Sequence, residues 1–115
     1  MRDLLGWGLS NMQAHRNTRY ENEYLNIQVE KGHHCERVAG SGMGKHAVCD
    51  CVLFRDGKVY LVEVKATKEP KFYRRAKVKV QLDRMVNVAK KSNVGAILAI
   101  KFKYRGWVEE ELIVF

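Results

Sequence analysis

The sequence predicts an α/β fold in which a central mixed β-sheet is flanked by helices. Three observations predict it. Two apolar runs, AVCDCVLF (47–54) and KVYLVEVKA (58–66), flank Asp56-Gly57, a strong signal for an antiparallel hairpin. The near-continuous apolar run GAILAIKF (95–102) has the character of a strand covered on both faces. Segments of helical periodicity stand on either side of the hairpin. At 115 residues and 46% hydrophobic content, the chain suits one domain with one modest core.

The elements follow in order. Residues 1–16 place Leu4, Leu5, Trp7 and Leu9 among glycines, and are expected to form an N-terminal arm ahead of a folded domain at 17–115. The arm lacks the continuous apolar stretch and small-residue cleavage site of a signal peptide. No run of about 18 apolar residues predicts a membrane span. TRYENEYLNIQVEKG (18–32) is expected to be helix one. Thr18 and Glu21 have capping-box spacing, and Tyr20, Tyr24, Leu25 and Ile27 give an apolar stripe. HHCERVA (33–39) reads as a short strand and GSGMGKH (40–46) as a flexible loop. After the hairpin, KEPKFYRRAKVKV (68–80) reads as a basic loop around the single proline, Pro70. QLDRMVNVAKKSN (81–93) places Leu82, Met85, Val86 and Ala89 at i, i+3, i+4 and i+7, a second amphipathic helix. GWVEEELIVF (106–115) closes the chain as a strand, with Glu109, Glu110 and Glu111 keeping an edge soluble.

Charge is distributed unevenly. The net charge is +8, and residues 65–91 hold ten basic residues against Glu69 and Asp83 alone, so this segment carries the whole excess. A concentrated basic stripe is the footprint of a polyanion, here nucleic acid, and no basic amphipathic helix with large apolar anchors points to a membrane. Cys35, Cys49 and Cys51, odd in number, fit free thiols in a reducing cytosol. His33-His34-Cys35 with Cys49-x-Cys51 fits no common zinc spacing. By strand alternation both Cys49 and Cys51 would point away from Asp50, as small core thiols.

The strand VYLVEVK raises a question: Glu63 and Lys65 share one face of an otherwise apolar strand. If Arg55 to Lys58 make the turn, Asp50 lies near the level of Glu63 on the neighbouring strand. Paired carboxylates from adjacent strands suit Mg²⁺, a hard cation that takes oxygen ligands and keeps several waters. Such an ion polarises a phosphoryl oxygen and activates water. A lysine beside it orients that water or offsets charge developing on the phosphate. With the basic stripe alongside, this predicts phosphodiester hydrolysis.

Asp50 followed by Glu63-Val64-Lys65 resembles the Asp…Glu-x-Lys signature of the PD-(D/E)XK nucleases. More of the chain, roughly 17–108, resembles the archaeal-type Holliday junction resolvases. Glu21 stands ten residues before Lys31-Gly32, Arg37 stands four before Ser41 in ERVAGSG, and Gln81 opens the helix after the basic loop. The sequence departs from that pattern at Cys49, where the family has proline, and at Asn22, where it has arginine. The resemblance implies a restriction-endonuclease-like nuclease fold and a Mg²⁺-dependent endonuclease, with Mn²⁺ as an alternative ion. It implies Asp50, Glu63 and the Val64 carbonyl as metal ligands, and Glu21, Ser41, Asp50, Glu63 and Lys65 as catalytic residues. It also implies a homodimer that cuts symmetric strands of a four-way junction, in the cytoplasm of an archaeal or viral host cell. Arg16, Arg19, Arg37, Lys68, Lys71, Arg74, Arg75, Lys77, Lys79 and Gln81 are the expected DNA contacts.

Other readings stand beside these. Glu21 also fits as a helix-capping residue, Ser41 as a turn residue, and Arg37 as a partner of Glu36. Tyr73 either stacks on a base or packs under the loop. Two other functions compete: a related nuclease of nicked, flapped or restriction-type substrates, and a non-catalytic DNA-binding module.

Overall fold

The structure is a computed structural model and describes residues 9–38 and 47–113, with side chains from residue 18 onward. Helix α1 spans Leu9–Glu30 and strand β1 His34–Arg37. Strands β2, Cys51–Arg55, and β3, Lys58–Thr67, form the hairpin. Helix α2, Ala76–Ser92, leads to β4, Gly95–Phe102, and β5, Gly106–Ile113. The five strands lie in the order β1-β2-β3-β4-β5. Only the β3–β4 pair is parallel, and α2 is its crossover, so the sheet is mixed and has a helix on each face.

The hairpin turn has the form its sequence dictates. Asp56 and Gly57 both have positive φ, 55° and 76°, the backbone of a tight two-residue turn. Arg55 pairs with Lys58, and the register then runs without a slip to Cys51 opposite Val62. Beyond that pair the ladder ends. Residue 50 is a bend, and the expected strand over 47–54 is reduced to 51–55.

Two apolar layers hold the sheet. On one face Tyr24 of α1 packs with Leu53, Tyr60, Val62 and Ile97. On the other, Leu82, Met85 and Ala89 of α2 pack with Ala96, Leu98 and Ile100. Strand β4 contributes to both layers and is buried almost throughout, which is why its sequence reads as an unbroken apolar run. Gly95 is required at its start. A Cβ there would lie 2.6 Å from the Tyr60 ring and 3.0 Å from the Ile113 carbonyl oxygen. Tyr60 is buried and cannot swing aside freely. Gly95→Ala is expected to cost about 1–3 kcal/mol through overpacking. Urea denaturation measures this, and a loss below about 0.5 kcal/mol would refute it.

Both helices begin earlier than their sequences predict. Thr18 is not a cap, because α1 already runs from Leu9, within the segment read as an arm; Met12, Gln13, Ala14 and Arg16 are helix formers, and nothing there breaks a helix. Helix α2 takes in Ala76–Val80, read as the end of a loop, because Val78 extends the buried stripe of Leu82, Met85 and Ala89 by one turn. Lys77 and Lys79 are therefore helical. Asn93 in the left-handed region ends α2, its N–H donating to the Ala89 and Lys90 carbonyls.

The cysteines also differ from expectation. All three are free and buried, but Cys49 faces the α2 layer and Cys51 the α1 layer. The bend at Asp50 breaks the two-residue alternation between them. The Cys35 and Cys51 thiols hydrogen-bond to one another, which together with burial holds the Cys51 thiol up. Burial pushes the Cys49 thiol up to about 11.

Candidate active site

The break at Asp50 is where the site is built. The Asp50 N–H donates to the Val62 carbonyl at 2.9 Å, and its carbonyl accepts the Val38 N–H at 2.9 Å. The main chain thus ties the end of β1 to β3. The side chain replaces the missing rung: Asp50 Oδ2 accepts the Val64 N–H at 2.8 Å. The Asp50 carboxylate is therefore fixed against the segment that carries Glu63, Val64 and Lys65.

Glu63 and Lys65 lie on the α2 face of β3, in step with Leu61. Lys65 Nζ is 3.4 Å from Glu63 Oε2 and donates to Gln81 Oε1 of α2 at 2.7 Å. Burial pushes the Glu63 carboxyl up to about 7, and the Asp50 charge adds to the rise while Lys65 opposes it. From the other layer, Glu21 of α1 reaches the same point. It is 8% exposed, and its carboxyl is also pushed up, first by burial and then by Asp50, against the effect of Arg37. Three acidic side chains and one lysine thus meet at the open end of the hairpin.

The donor set fits a hard divalent cation. All the candidate ligand atoms are oxygens, and burial first and the Asp50 charge second, which together raise Glu63 and Glu21, are what a bound cation offsets. Among the described residues, no group of three or more His, Cys, Asp or Glu side chains is placed to hold a metal ion by itself. The two carboxylates that stand together, Asp50 and Glu63, suit a cation of the kind that takes few protein ligands and keeps several waters. Val64, whose carbonyl is the third ligand that the resemblance implies, is fixed by its own N–H bond to Asp50.

The remaining expected residues fall into separate groups. Arg37 Nε donates to Glu21 Oε1 at 3.1 Å, whereas Glu36 bonds His34 at 2.7 Å. Arg37 therefore pairs with Glu21, not Glu36, because Cys35 and Arg37 face α1 while His34 and Glu36 face away. Gln81, expected to touch DNA, is engaged with Lys65. Arg19 is exposed and sits 5.6 Å over the Tyr20 ring. Lys68, Lys71, Arg75, Lys77 and Lys79 are exposed, as is Arg74, which pairs with Glu110. Tyr73 is 55% exposed and so does not pack under the loop. Arg16 lies in α1 with its side chain outside the described residues, and Ser41 lies outside them altogether.

Lys65→Ala is expected to lower single-turnover cleavage by about 10²–10³-fold, as for loss of one group stabilising developing charge. Gln81→Ala keeps the lysine but removes its anchor, and is expected to lower cleavage by about tenfold. Equal losses in the two variants would show that Gln81 does more than hold Lys65.

One cluster was not legible in the sequence. Glu109 accepts from Tyr24 Oη at 2.7 Å, from Gln28 Nε2 at 3.3 Å and from Arg55 Nη1 at 3.0 Å. It ties α1 and the hairpin to β5. The partners are 54 to 85 residues away in sequence, and no local pattern announces them.

The archaeal Holliday junction resolvase (Hjc) family model matches residues 12–113. The 1.6 Å resolution structure of Archaeoglobus fulgidus Hjc, a Holliday junction resolvase from an archaeal hyperthermophile, is similar to this chain with a TM-score of 0.67. The two are 29% identical, over 82% of this chain and 74% of that one. None of the curated proteins compared matches the chain. The mixed sheet with its two helices is a PD-(D/E)XK-type nuclease fold. The match covers the acidic cluster, the lysine and the basic segment together, and the chain belongs to the archaeal Holliday junction resolvase family.

Proposed function

We propose that the chain is an endonuclease that resolves four-way DNA junctions by metal-dependent phosphodiester hydrolysis. The observation that carries this reading is the meeting of Asp50, Glu63, Lys65 and Glu21 at one end of the hairpin, next to a segment with a net charge of +8. Family membership supports the same substrate.

In the proposed mechanism Asp50 and Glu63 hold Mg²⁺, or Mn²⁺ in its place, with the Val64 carbonyl as a third ligand. When bound, the ion supplies Lewis acidity to a phosphoryl oxygen and lowers the pKa of a coordinated water. Lys65, held by Gln81 and beside Glu63, faces the position where negative charge grows on the phosphate. Glu21, beside Asp50 and bonded by Arg37, would be the further acidic residue at the edge of that ion's site. Ser41, outside the described residues, is the remaining residue proposed for catalysis. Lys68, Lys71, Arg74, Arg75, Lys77 and Lys79, with Arg16 and Arg19, track the backbone, which gives strong salt dependence but little sequence readout. A homodimer presents two such sites, matching the two-fold symmetry of the junction.

No helix among the described residues is long and apolar enough to cross a membrane. A substrate panel tests the proposal. With Mg²⁺ present, product is expected from a four-way junction and not from nicked, flapped or linear duplexes of the same sequences. Faster cleavage of a nicked or flapped duplex would make this a nuclease of another branched substrate.

A further inference from the structure

We propose that the β4–β5 turn, Lys103-Tyr104-Arg105, is a second DNA-contact element, in which Tyr104 stacks on a base pair left unstacked at the branch point. This rests on the reading of the chain as a junction-binding nuclease.

The turn is far from the basic stripe in sequence but joined to it in space. The Lys103 N–H donates to the Thr67 carbonyl at 3.0 Å, at the C-terminal end of the strand that carries Glu63 and Lys65. Arg105 donates from Nη2 to the Pro70 carbonyl, inside the basic loop, and its guanidinium lies 4.5 Å from the Phe102 ring. Glu110 of β5 pairs with Arg74 of that loop. The turn and the loop therefore form one surface at the ends of the parallel strands β3 and β4.

Tyr104 is the outlier on this surface. It is 79% exposed, the most exposed large hydrophobic side chain among the described residues. Its one ring contact of this kind is the Lys103 ammonium, 5.6 Å from the ring centre. A bare aromatic ring contributes nothing to a core, and here it stands between two cations beside a polyanion-binding loop. Aromatic rings flanked by Lys and Arg are how proteins take hold of unstacked bases. Away from its ends a linear duplex offers no such base face, because every interior pair is stacked on both sides. A branch point does, since the pairs that border it have lost a neighbour. Tyr104 thus gives the protein a contact that branched DNA satisfies and linear DNA does not, whereas Lys103 meets a phosphate in either.

The test measures binding of the full chain in the absence of divalent metal, with 2-aminopurine next to the branch point or deep in one arm. Wild type is expected to change the fluorescence of the branch-point probe alone. Tyr104→Ala should abolish that change and weaken junction binding by roughly tenfold, with linear duplex binding and Tm unchanged. Tyr104→Phe should behave as wild type. Lys103→Ala should weaken binding to both DNAs. Junction binding by Tyr104→Ala equal to wild type, or an equal loss on junction and duplex, overturns the proposal. Failure of wild type to prefer the junction over duplex overturns the resolvase reading itself, and this inference with it.

Discussion

Asp50→Asn is expected to lower junction cleavage by about 10³-fold, some 4 kcal/mol of barrier, while junction binding persists. The fold should not suffer. Asparagine can accept the Val64 N–H through its own side-chain oxygen, as Asp50 does at 2.8 Å. The substitution removes the charge that, after burial, pushes Glu63 and Glu21 up. In metal-free buffer the variant should therefore match wild type in Tm or exceed it slightly, the usual cost of a functional charge cluster to stability. A variant that loses cleavage only because it unfolds would show a lowered Tm, and that outcome would take Asp50 out of the chemistry.

Glu109→Ala is expected to be the most destabilising of the acidic substitutions, at about 2–4 kcal/mol. Tyr24 is 1% exposed and Gln28 is 1% exposed, and both would lose the acceptor they share. Gln28 Oε1 already has no partner, so the amide cannot compensate. Arg55, whose side chain is 18% exposed, would lose its 3.0 Å partner and keep Glu111 at 4.0 Å. Part of the pair reaches solvent, which keeps the expected loss below that of a fully buried ion pair. Glu111→Ala, the neighbouring control, should cost less than about 0.5 kcal/mol. Urea denaturation at one fixed protein concentration compares them; equal midpoints would show that the Glu109 network adds nothing.

These two acids show what a sequence can disclose. Asp50 was legible because one hairpin fixes it. Asp56-Gly57 sets the turn, the turn sets the register, and the register brings Asp50 to the end of the ladder beside Glu63, although the bend that turns its carboxylate onto the Val64 N–H has no local signal. The α2 core and β4 were legible for the same reason, as periodic patterns complete within one segment. Glu109 was not. In a run of three glutamates each reads as a solvated edge residue, and only strand alternation against α1 gives Glu109 its burial and its partners. The start of α1 was misplaced because Thr18 and Glu21 have capping spacing, yet a helix that began earlier has no need of that cap. The Glu21–Arg37 pair joins a helix to a strand across 16 residues, and Glu36 was the nearer partner in sequence.

The site assembly makes the central claim measurable on one substrate. An immobile four-way junction with each strand end-labelled in turn, incubated with Mg²⁺, maps every cut made by wild type and by Asp50→Asn. Paired nicks at symmetric positions near the branch, absent from the variant although it still binds, are the predicted result. Tight junction binding by wild type with no cleavage across a range of divalent metals would contradict the account and leave a binding module in place of a nuclease.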